Sequence, residues 1–502
     1  MPANESVLDV FSTDHLKTDL KGRSVRGGAL TLVSQGGNFL LQTVSTVVLA
    51  RLLTPSDFGL VAMVVAITGF ATTFADLGLS EAIIQRRQIN HYQVSTLFWI
   101  NVAIGLGLTL VTVALGPVLA WFYREPRVEG IAFALSLTFL ISGLRVQHDA
   151  LLKRQMRYVS LAIRSVVSQA VGVLVALVIA WRGGGYWALV ASPLALNFTG
   201  LLLSWYLIRW KPGPPRRDSE VPSMLSFGGN VAATYLVSYL HRNMDNILIG
   251  WYWGTGPLGF YSRAYNLLML PVRQLNLPAA SVTIPAFSRI QGDPDRFARY
   301  YLNAISLIVW ISAPVFAFFF VAAEPVNILV LGKQWEGAVA AFKMLVISAL
   351  AQPLLESVAW LFVARGQSDR LLKLWLIMTP ITIGSFVIGL PFGIEWVALS
   401  YSLVLLAVMP WVLNYAFRGT ALTLQRLGKA IFCPVSISLV GAAFAELALH
   451  LVTPKNVLSQ LLISALGFGV GFSLSALLPF VRQEFLSLKA VLQELRPSSQ
   501  AT

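Results

Sequence analysis

Charge is scarce in this chain: Asp, Glu, Lys and Arg make up 12% of its 502 residues, about half the share of an ordinary soluble protein. No hydrophilic stretch runs beyond about 25 residues, so no soluble core of useful size is left over. Cysteine is nearly absent. Cys433 stands alone, which excludes an internal disulfide and a cysteine metal cluster, and its apolar surroundings fit a small core residue. A glycine-rich phosphate cradle is missing too. Gly183-Gly184-Gly185 lacks the Lys-Ser/Thr that would give it meaning and reads as a short turn, which excludes ATP hydrolysis by such a loop. No apolar h-region precedes Gly27, so the first span is expected to stay as a membrane helix.

What is present is apolar. Hydrophobic residues form 56% of the chain and the mean hydropathy is +0.69. Polar interruptions divide it into spans near 27–50, 58–79, 96–121, 129–146, 160–181, 186–208, 227–252, 264–287, 301–323, 338–363, 371–390, 394–416, 429–451 and 457–480. Each holds roughly the 20 apolar residues that a bilayer crossing needs. The expected fold class is an all-α polytopic membrane protein with about fourteen transmembrane helices.

The net charge is +14, which in a soluble protein would suggest nucleic acid. Its sorting argues otherwise. Of the 37 Lys and Arg, 26 fall in one set of alternating connections, including Arg86, Arg87, Arg145, Lys153, Arg154, Arg157, Arg216 and Arg217; only 6 fall in the other set. Positive residues favour the cytoplasmic face, so both termini are expected there, with anionic lipid headgroups as the default partner and no nucleic acid.

Trp210 to Pro222 carries four prolines and mixed charge and cannot continue a helix. It separates 27–209 from 223–417, each of six spans, after a polar tail 1–26; spans 418–480 look like an addition before a tail 481–502. A faint repeat supports two related halves. Gly36-Gly37-Asn38 matches Gly228-Gly229-Asn230, and Val47–Leu60 aligns with Ile247–Phe260 at an offset of 200 residues, placing Gly59 on Gly259. Internal repeats are common in transporters.

Leu49-Ala-Arg-Leu-Leu-Thr-Pro-Ser-Asp-Phe-Gly-Leu60 and Phe74-Ala-Asp-Leu-Gly-Leu-Ser-Glu-Ala-Ile-Ile-Gln-Arg86 resemble the opening helices of bacterial polysaccharide exporters. Tyr261-Ser-Arg-Ala-Tyr-Asn266 and Ile284-Pro-Ala-Phe-Ser-Arg-Ile-Gln291 do the same. The family is that of the colanic-acid exporter and the lipid-linked oligosaccharide flippases, in the superfamily that also holds multidrug exporters. The resemblance spans nearly the whole chain and rests on structural rather than catalytic motifs. It implies two helix bundles around a central cavity, alternating between inward and outward openings in the bacterial inner membrane. The implied substrate is a polyprenyl-pyrophosphate-linked oligosaccharide, a precursor of exopolysaccharide or lipopolysaccharide. A polysaccharide polymerase and a chain-length regulator are the partners it would suggest.

Charges at membrane depth are functional candidates. Outside the loops remain Arg164, Arg242, Arg263, Arg273 and Lys343. The expected cavity residues are Arg242 with His241 and Asp245 in span seven, and Arg263, Asn266, Arg273, Gln274 and Asn276 in span eight. Gln35, Asn38 and Gln42 form an amide stripe on span one, suited to helix packing or to sugar contact. His241, Arg242 and Asp245 can form a packing ion pair or a cavity-lining belt. An arginine flanked by amides suits phosphate oxygens. Glu356 and Asp245 are the candidate ion-coupling carboxylates, and Glu356 equally suits pairing with a basic neighbour. No catalytic, cofactor or metal site is expected. A membrane polymerase or glycosyltransferase finds support only in Asp293-Pro294-Asp295, which reads as a turn. A multidrug-type cation antiporter would share the fold, but five deep basic groups against chiefly Asp245 and Glu356 favour an anionic cargo.

Overall fold

The computed structural model describes residues 11, 20–71, 80, 83–84, 86, 89–216, 238–479, 481 and 484; side chains 20–21, 23–25 and 273–282 are not among those described. Every regular element among them is helical. In order these are α1 (Leu20–Leu52), α2 (Pro55–Thr68), α3 (His91–Tyr123), α4 (Arg127–Arg154), α5 (Tyr158–Trp181) and α6 (Trp187–Ile208). There follow α7 (238–253), α8 (Thr255–Ile290), α9 (Pro294–Val321), α10 (Ala323–Leu331), α11 (Val339–Ala349) and α12 (Gln352–Ala364). The series ends with α13 (Ser368–Gly389), α14 (Ile394–Phe417), α15 (Leu424–Leu451) and α16 (Val457–Ala476). Nine helices among the described residues are long and apolar enough to cross a membrane, or ten if the bent pair Lys333–Ala349 and Gln352–Ala364 is one span. Of the other expected spans, 27–50 and 264–287 lie in the long helices α1 and α8, while 58–79 and 227–252 are described only in part.

The starts of these helices are written locally. Thr54 caps α2, its side chain accepting from the Asp57 backbone while Asp57 reciprocates, and Pro55 fills the first turn, where its missing N–H costs nothing. Asn90 with Gln93 does the same for α3, and Asn456 with Ser459 for α16. Asp293 caps α9 through the Arg296 backbone N–H, with Pro294 in the first turn. The Asp-Pro-Asp pattern is thus a helix start, as its turn chemistry suggests.

Packing divides the chain into Met1–Gly259 and Phe260–Thr502. In the first unit α3 and α4 form a hairpin, as do α5 and α6; α1 lies along α5, and α4 packs on α6. The helix α7 belongs to this unit. Phe122 stacks on Trp251 with centroids 6.4 Å apart, and the Tyr239 hydroxyl donates to the Val65 carbonyl at 2.6 Å. Gly254, at φ +79°, ends α7 and lets α8 start at the next residue. A Cβ on Gly59 would lie 1.8 Å from the Thr255 carbonyl oxygen, and one on Gly259 would lie 1.9 Å from that of Pro55. Residues 55 and 255, like 59 and 259, are related by the repeat offset, so the contact is reciprocal between aligned positions. Only glycine permits backbones to approach this closely.

Residues 209–216 cross the end of this unit as a strap. Trp210 is buried, its indole N–H donating to His91 Nδ1 at 3.1 Å. Ser95 Oγ accepts from the Gly213 N–H at 3.0 Å, and Arg216 lies 4.0 Å from the Tyr92 ring centroid. His148 stacks on Trp205 at 4.5 Å and bonds the Trp210 carbonyl at 3.1 Å through Nε2.

In the second unit α15 packs against both α9 and α16, while α11 and α13 flank α14. Its centre holds two polar pairs: Tyr301 Oη with Ser357 Oγ at 2.7 Å, and Gln352 Nε2 donating to Tyr401 Oη at 3.2 Å. The 42° bend between α11 and α12 falls at Leu350–Ala351. Non-helical backbone at such depth is tolerated where protein covers it, and Ala349, Ala351 and Gln352 are all buried.

Replacing Gly59 or Gly259 by valine should destabilise the detergent-solubilised protein by about 1–3 kcal/mol, the usual cost of overpacking. Gly107→Ala, at a helical position with no neighbour within 4 Å, should be neutral or stabilising. A thermal melt of the three variants checks both; equal melting temperatures would refute the close approach.

Candidate functional site

The expected amide stripe on α1 is divided between two roles. Asn38 Nδ2 donates to Ser165 Oγ at 2.7 Å, and Gln42 Oε1 accepts from Gln169 Nε2 at 3.2 Å. Both partners lie on α5 one turn apart, so these amides join α1 to α5. Gln35 is exposed.

Beside that seam the structure builds a charged cluster. Asp149 of α4 accepts from Ser204 Oγ of α6 through Oδ1 at 2.6 Å. Its Oδ2 lies 3.3 Å from Arg145 Nε, one turn earlier on α4, and 3.4 Å from Arg164 Nη1 of α5. Arg164 is the sequence neighbour of Ser165, so α5 carries the amide seam and the cluster together. Two guanidiniums share one carboxylate, leaving a net charge of +1. All three side chains are mostly covered, with exposures of 16–19%. Arg145 runs beneath α6 at Gly200, where a Cβ would sit 2.7 Å from its Nη1 and 3.4 Å from Ser168 Oγ. Among the described residues, Arg145 Nη1, Arg164 Nε and Ser168 Oγ are buried without a hydrogen-bond partner, and Arg145 Nε meets only the Asp149 carboxylate, outside hydrogen-bond geometry. Such groups in an apolar bundle are costly and mark a place where an acceptor is wanted.

Arg145, expected in a cytoplasmic connection, is helical instead, and Asp149 is not among the span charges considered above. Helix α4 runs on to Arg154, which puts Arg145 about 13 Å inside its end at 1.5 Å per residue. The signal was available: an arginine and an aspartate at i,i+4 share one helix face.

The other expected residues are distributed over both units. In α7, His241 and Asp245 are buried on one face and Arg242 is exposed; none of the three is free of a partner. In α8, Arg263 is half-buried and engaged, while Asn266 Nδ2 spends a hydrogen bond on the Ser262 carbonyl at 2.7 Å. Arg273, Gln274 and Asn276 lie on the helical backbone of α8, but their side chains fall outside the described residues. Glu356 is half-buried on α12, just past the break, and is engaged. Lys343 lies 4.8 Å from the Phe320 ring centroid, a cation–π contact that holds its charge within the second unit. Among the described residues no three His, Cys, Asp or Glu come together as metal ligands would.

Residues 48–340 match a family described as polysaccharide biosynthesis protein. The lipopolysaccharide biosynthesis protein WzxC of Escherichia coli (strain K12) is 25% identical over 376 residues, covering 74% of this chain and 76% of that one. The succinoglycan biosynthesis transport protein ExoT of Rhizobium meliloti (strain 1021) is 24% identical over 321 residues, 63% of this chain and 64% of that one. Among solved structures, the lipid II flippase MurJ in an inward closed conformation superposes with a TM-score of 0.69 at 13% identity, over 90% of this chain and 99% of that one. An inward-facing multidrug resistance transporter of the MATE family in the MOP superfamily gives 0.60 at 16%, over 76% and 94%. These two likenesses establish a shared fold.

Asn38→Ala and Gln42→Ala should each lower stability by about 1 kcal/mol, the net worth of one hydrogen bond, whereas Gln35→Ala should leave it unchanged. Melting curves of the single variants in detergent test this; an equal loss at Gln35 would contradict the division of roles.

Proposed function

Since the chain belongs to the polysaccharide biosynthesis protein family, we propose that it is a flippase that moves a polyprenyl-pyrophosphate-linked oligosaccharide across the cytoplasmic membrane by alternating access. The cargo is a precursor of exopolysaccharide or lipopolysaccharide. The observation that carries this reading is the net-positive Arg145–Asp149–Arg164 cluster with its unfilled donors, inside a bundle otherwise made for lipid. A sugar and a pyrophosphate are insoluble in hydrocarbon, so a carrier must offer them polar, preferably cationic, surroundings on the way. Arginines inside a membrane bundle are costly, up to about 2.5–3.5 kcal/mol at a helix centre on insertion scales, and mark functional candidates. Arg242, His241 and Asp245 on α7, and Arg263, Asn266, Arg273, Gln274 and Asn276 on α8, are proposed as further cargo residues, each within its own unit. Glu356 and Asp245 are the carboxylates proposed for ion coupling. The sorting of basic residues supports cytoplasmic termini in the inner membrane. A polymerase and a chain-length regulator are the partners that such cargo would require downstream.

The multidrug transporter fold supports a cation antiporter as second reading. Cationic drugs call for unpaired buried carboxylates. The cluster in the first unit has two arginines for its one aspartate, which suits an anion.

Reconstituted into vesicles, the protein should expose a fluorescent polyprenyl-pyrophosphate-linked oligosaccharide to a membrane-impermeant quencher faster than empty vesicles do. No gain over empty vesicles would end the proposal. Arg242→Ala and Arg273→Ala should insert normally and lower the transfer rate at least about tenfold, the worth of one charge-assisted hydrogen bond to a phosphate. Unchanged transfer in both would remove α7 and α8 from the site.

A further inference from the structure

We infer that residues 209–216 form a pH-sensitive latch on the first unit, docked while the His91 imidazole is neutral and released when it is protonated. Such a latch would operate whatever the cargo.

The strap is stiff and held at several points. Pro212, Pro214 and Pro215 fix much of its backbone, so docking costs little conformational entropy. Trp210 is its anchor, buried against His91, Phe98 and His148 with ring centroids 5.1–6.0 Å away. Beyond it, the Gly213 N–H donates to Ser95 Oγ at 3.0 Å and the Arg216 N–H to Thr96 Oγ1 at 3.1 Å. Trp99 Nε1 donates to the Gly213 carbonyl at 2.9 Å. Gly213 passes so close that a Cβ there would clash with His91, 2.7 Å from Nε2.

Two histidines grip Trp210 in opposite senses. An indole N–H can only donate, so His91 Nδ1, 3.1 Å away, must accept and carry no proton. The proton of the neutral ring then sits on Nε2, which faces Ser95 Oγ at 3.5 Å. A carbonyl can only accept, so His148 Nε2 donates to that of Trp210 at 3.1 Å, a bond that either charge state of the ring can make. His91 is therefore the group whose charge decides docking. Once protonated, its Nδ1–H would point at the indole N–H, two donors with no acceptor between them. His91 is half-buried and open to protons from water, whereas His148 is fully buried.

The groups facing His91 are neutral or cationic. On α3 the ring meets Tyr92 and Ser95. Phe11 packs edge-on at 6.0 Å, its carbonyl accepting from Arg154 Nη2 at 3.5 Å. The strap itself brings Lys211 and Arg216, the latter over Tyr92. Across Trp210 stand His148 and, next to it on α4, Asp149, whose oxygens are taken up by Arg145, Arg164 and Ser204. Among the described residues no carboxylate pairs with His91. A charge on this ring would join cations and meet no counter-ion. Histidine changes charge between about pH 5 and 8, so docking is complete at the alkaline end of that range and is lost as the pH falls.

The test is hydrogen exchange of the full-length protein in detergent, read by mass spectrometry at about pH 8 and about pH 5. Labelling times are scaled for the chemical pH dependence of exchange. The Gly213 and Arg216 amides report docking, and the α5–α6 hairpin is the internal control. In the unaltered protein the strap amides should exchange at least about tenfold faster at the lower pH, the cost of two opposed donors, with the hairpin unchanged. His91→Asn keeps an acceptor near the Nδ1 position but cannot be charged, and its strap should stay protected at both pH values. His91→Lys carries a fixed charge, and Gly213→Ala sets a methyl group against the ring; each should expose the strap already at the higher pH. His148→Gln still offers an N–H to the Trp210 carbonyl and should keep the pH response. Equal strap exchange at the two pH values in the unaltered protein, an acid opening that the hairpin shares, or a pH response that survives His91→Asn would overturn the latch. Leaflet transfer plays no part in this measurement, so the latch and the transport reading stand or fall separately.

Discussion

Hydrocarbon offers no hydrogen bonds, and that constraint organises this molecule. Each backbone N–H and C=O at membrane depth has to be satisfied within its own helix, so every regular element described is helical. Helices that share a bilayer gain little from burying apolar surface against one another, and their contacts rely on close backbone approach and on polar pairs. Both devices are visible in the first unit. Gly59 and Gly259 bring two backbones into contact, and Asn38 and Gln42 tie α1 to α5. The same constraint makes the Arg145–Asp149–Arg164 cluster conspicuous. A buried ion pair adds little to stability compared with apolar packing of the same volume, and one with a surplus charge and unfilled donors adds less.

Hydropathy made most of the helices legible, because the bilayer sets a length that sequence must meet. The span expected at 160–181 is the helix Tyr158–Trp181, and that at 394–416 is Ile394–Phe417. It was weaker on where helices end. Apolarity marks the part of a helix that lipid touches, whereas α1 begins at Leu20, among basic residues, and α4 continues to Arg154. That difference conceals Arg145: it lies at the apolar edge, where hydropathy ends the span, but the helix carries on and sets it beside Asp149. The break between α11 and α12 was equally silent, since Gln352-Pro353 interrupts an apolar run much as Pro314, Pro380 and Pro410 do in helices that remain continuous.

Of the candidate residues, the amide stripe was legible as a stripe, because helical spacing alone puts positions 35, 38 and 42 on one face. Which of its members touch a neighbour depends on where α5 lies, and this no local pattern encodes. The charged cluster needed three helices to come together, with Ser204 contributed from a distance of 55 residues. Its net charge is a property of the assembled bundle. Family membership places the chain in polysaccharide biosynthesis. The residues themselves supply the reason an anion would be welcome.

The most direct measurement is a density map of the full chain prepared with an isoprenoid-pyrophosphate-linked sugar. The account predicts a phosphate oxygen within about 3 Å of the Arg145 or Arg164 guanidinium. A map with the sugar bound elsewhere, and with Asp149 still shared by both arginines, would contradict it.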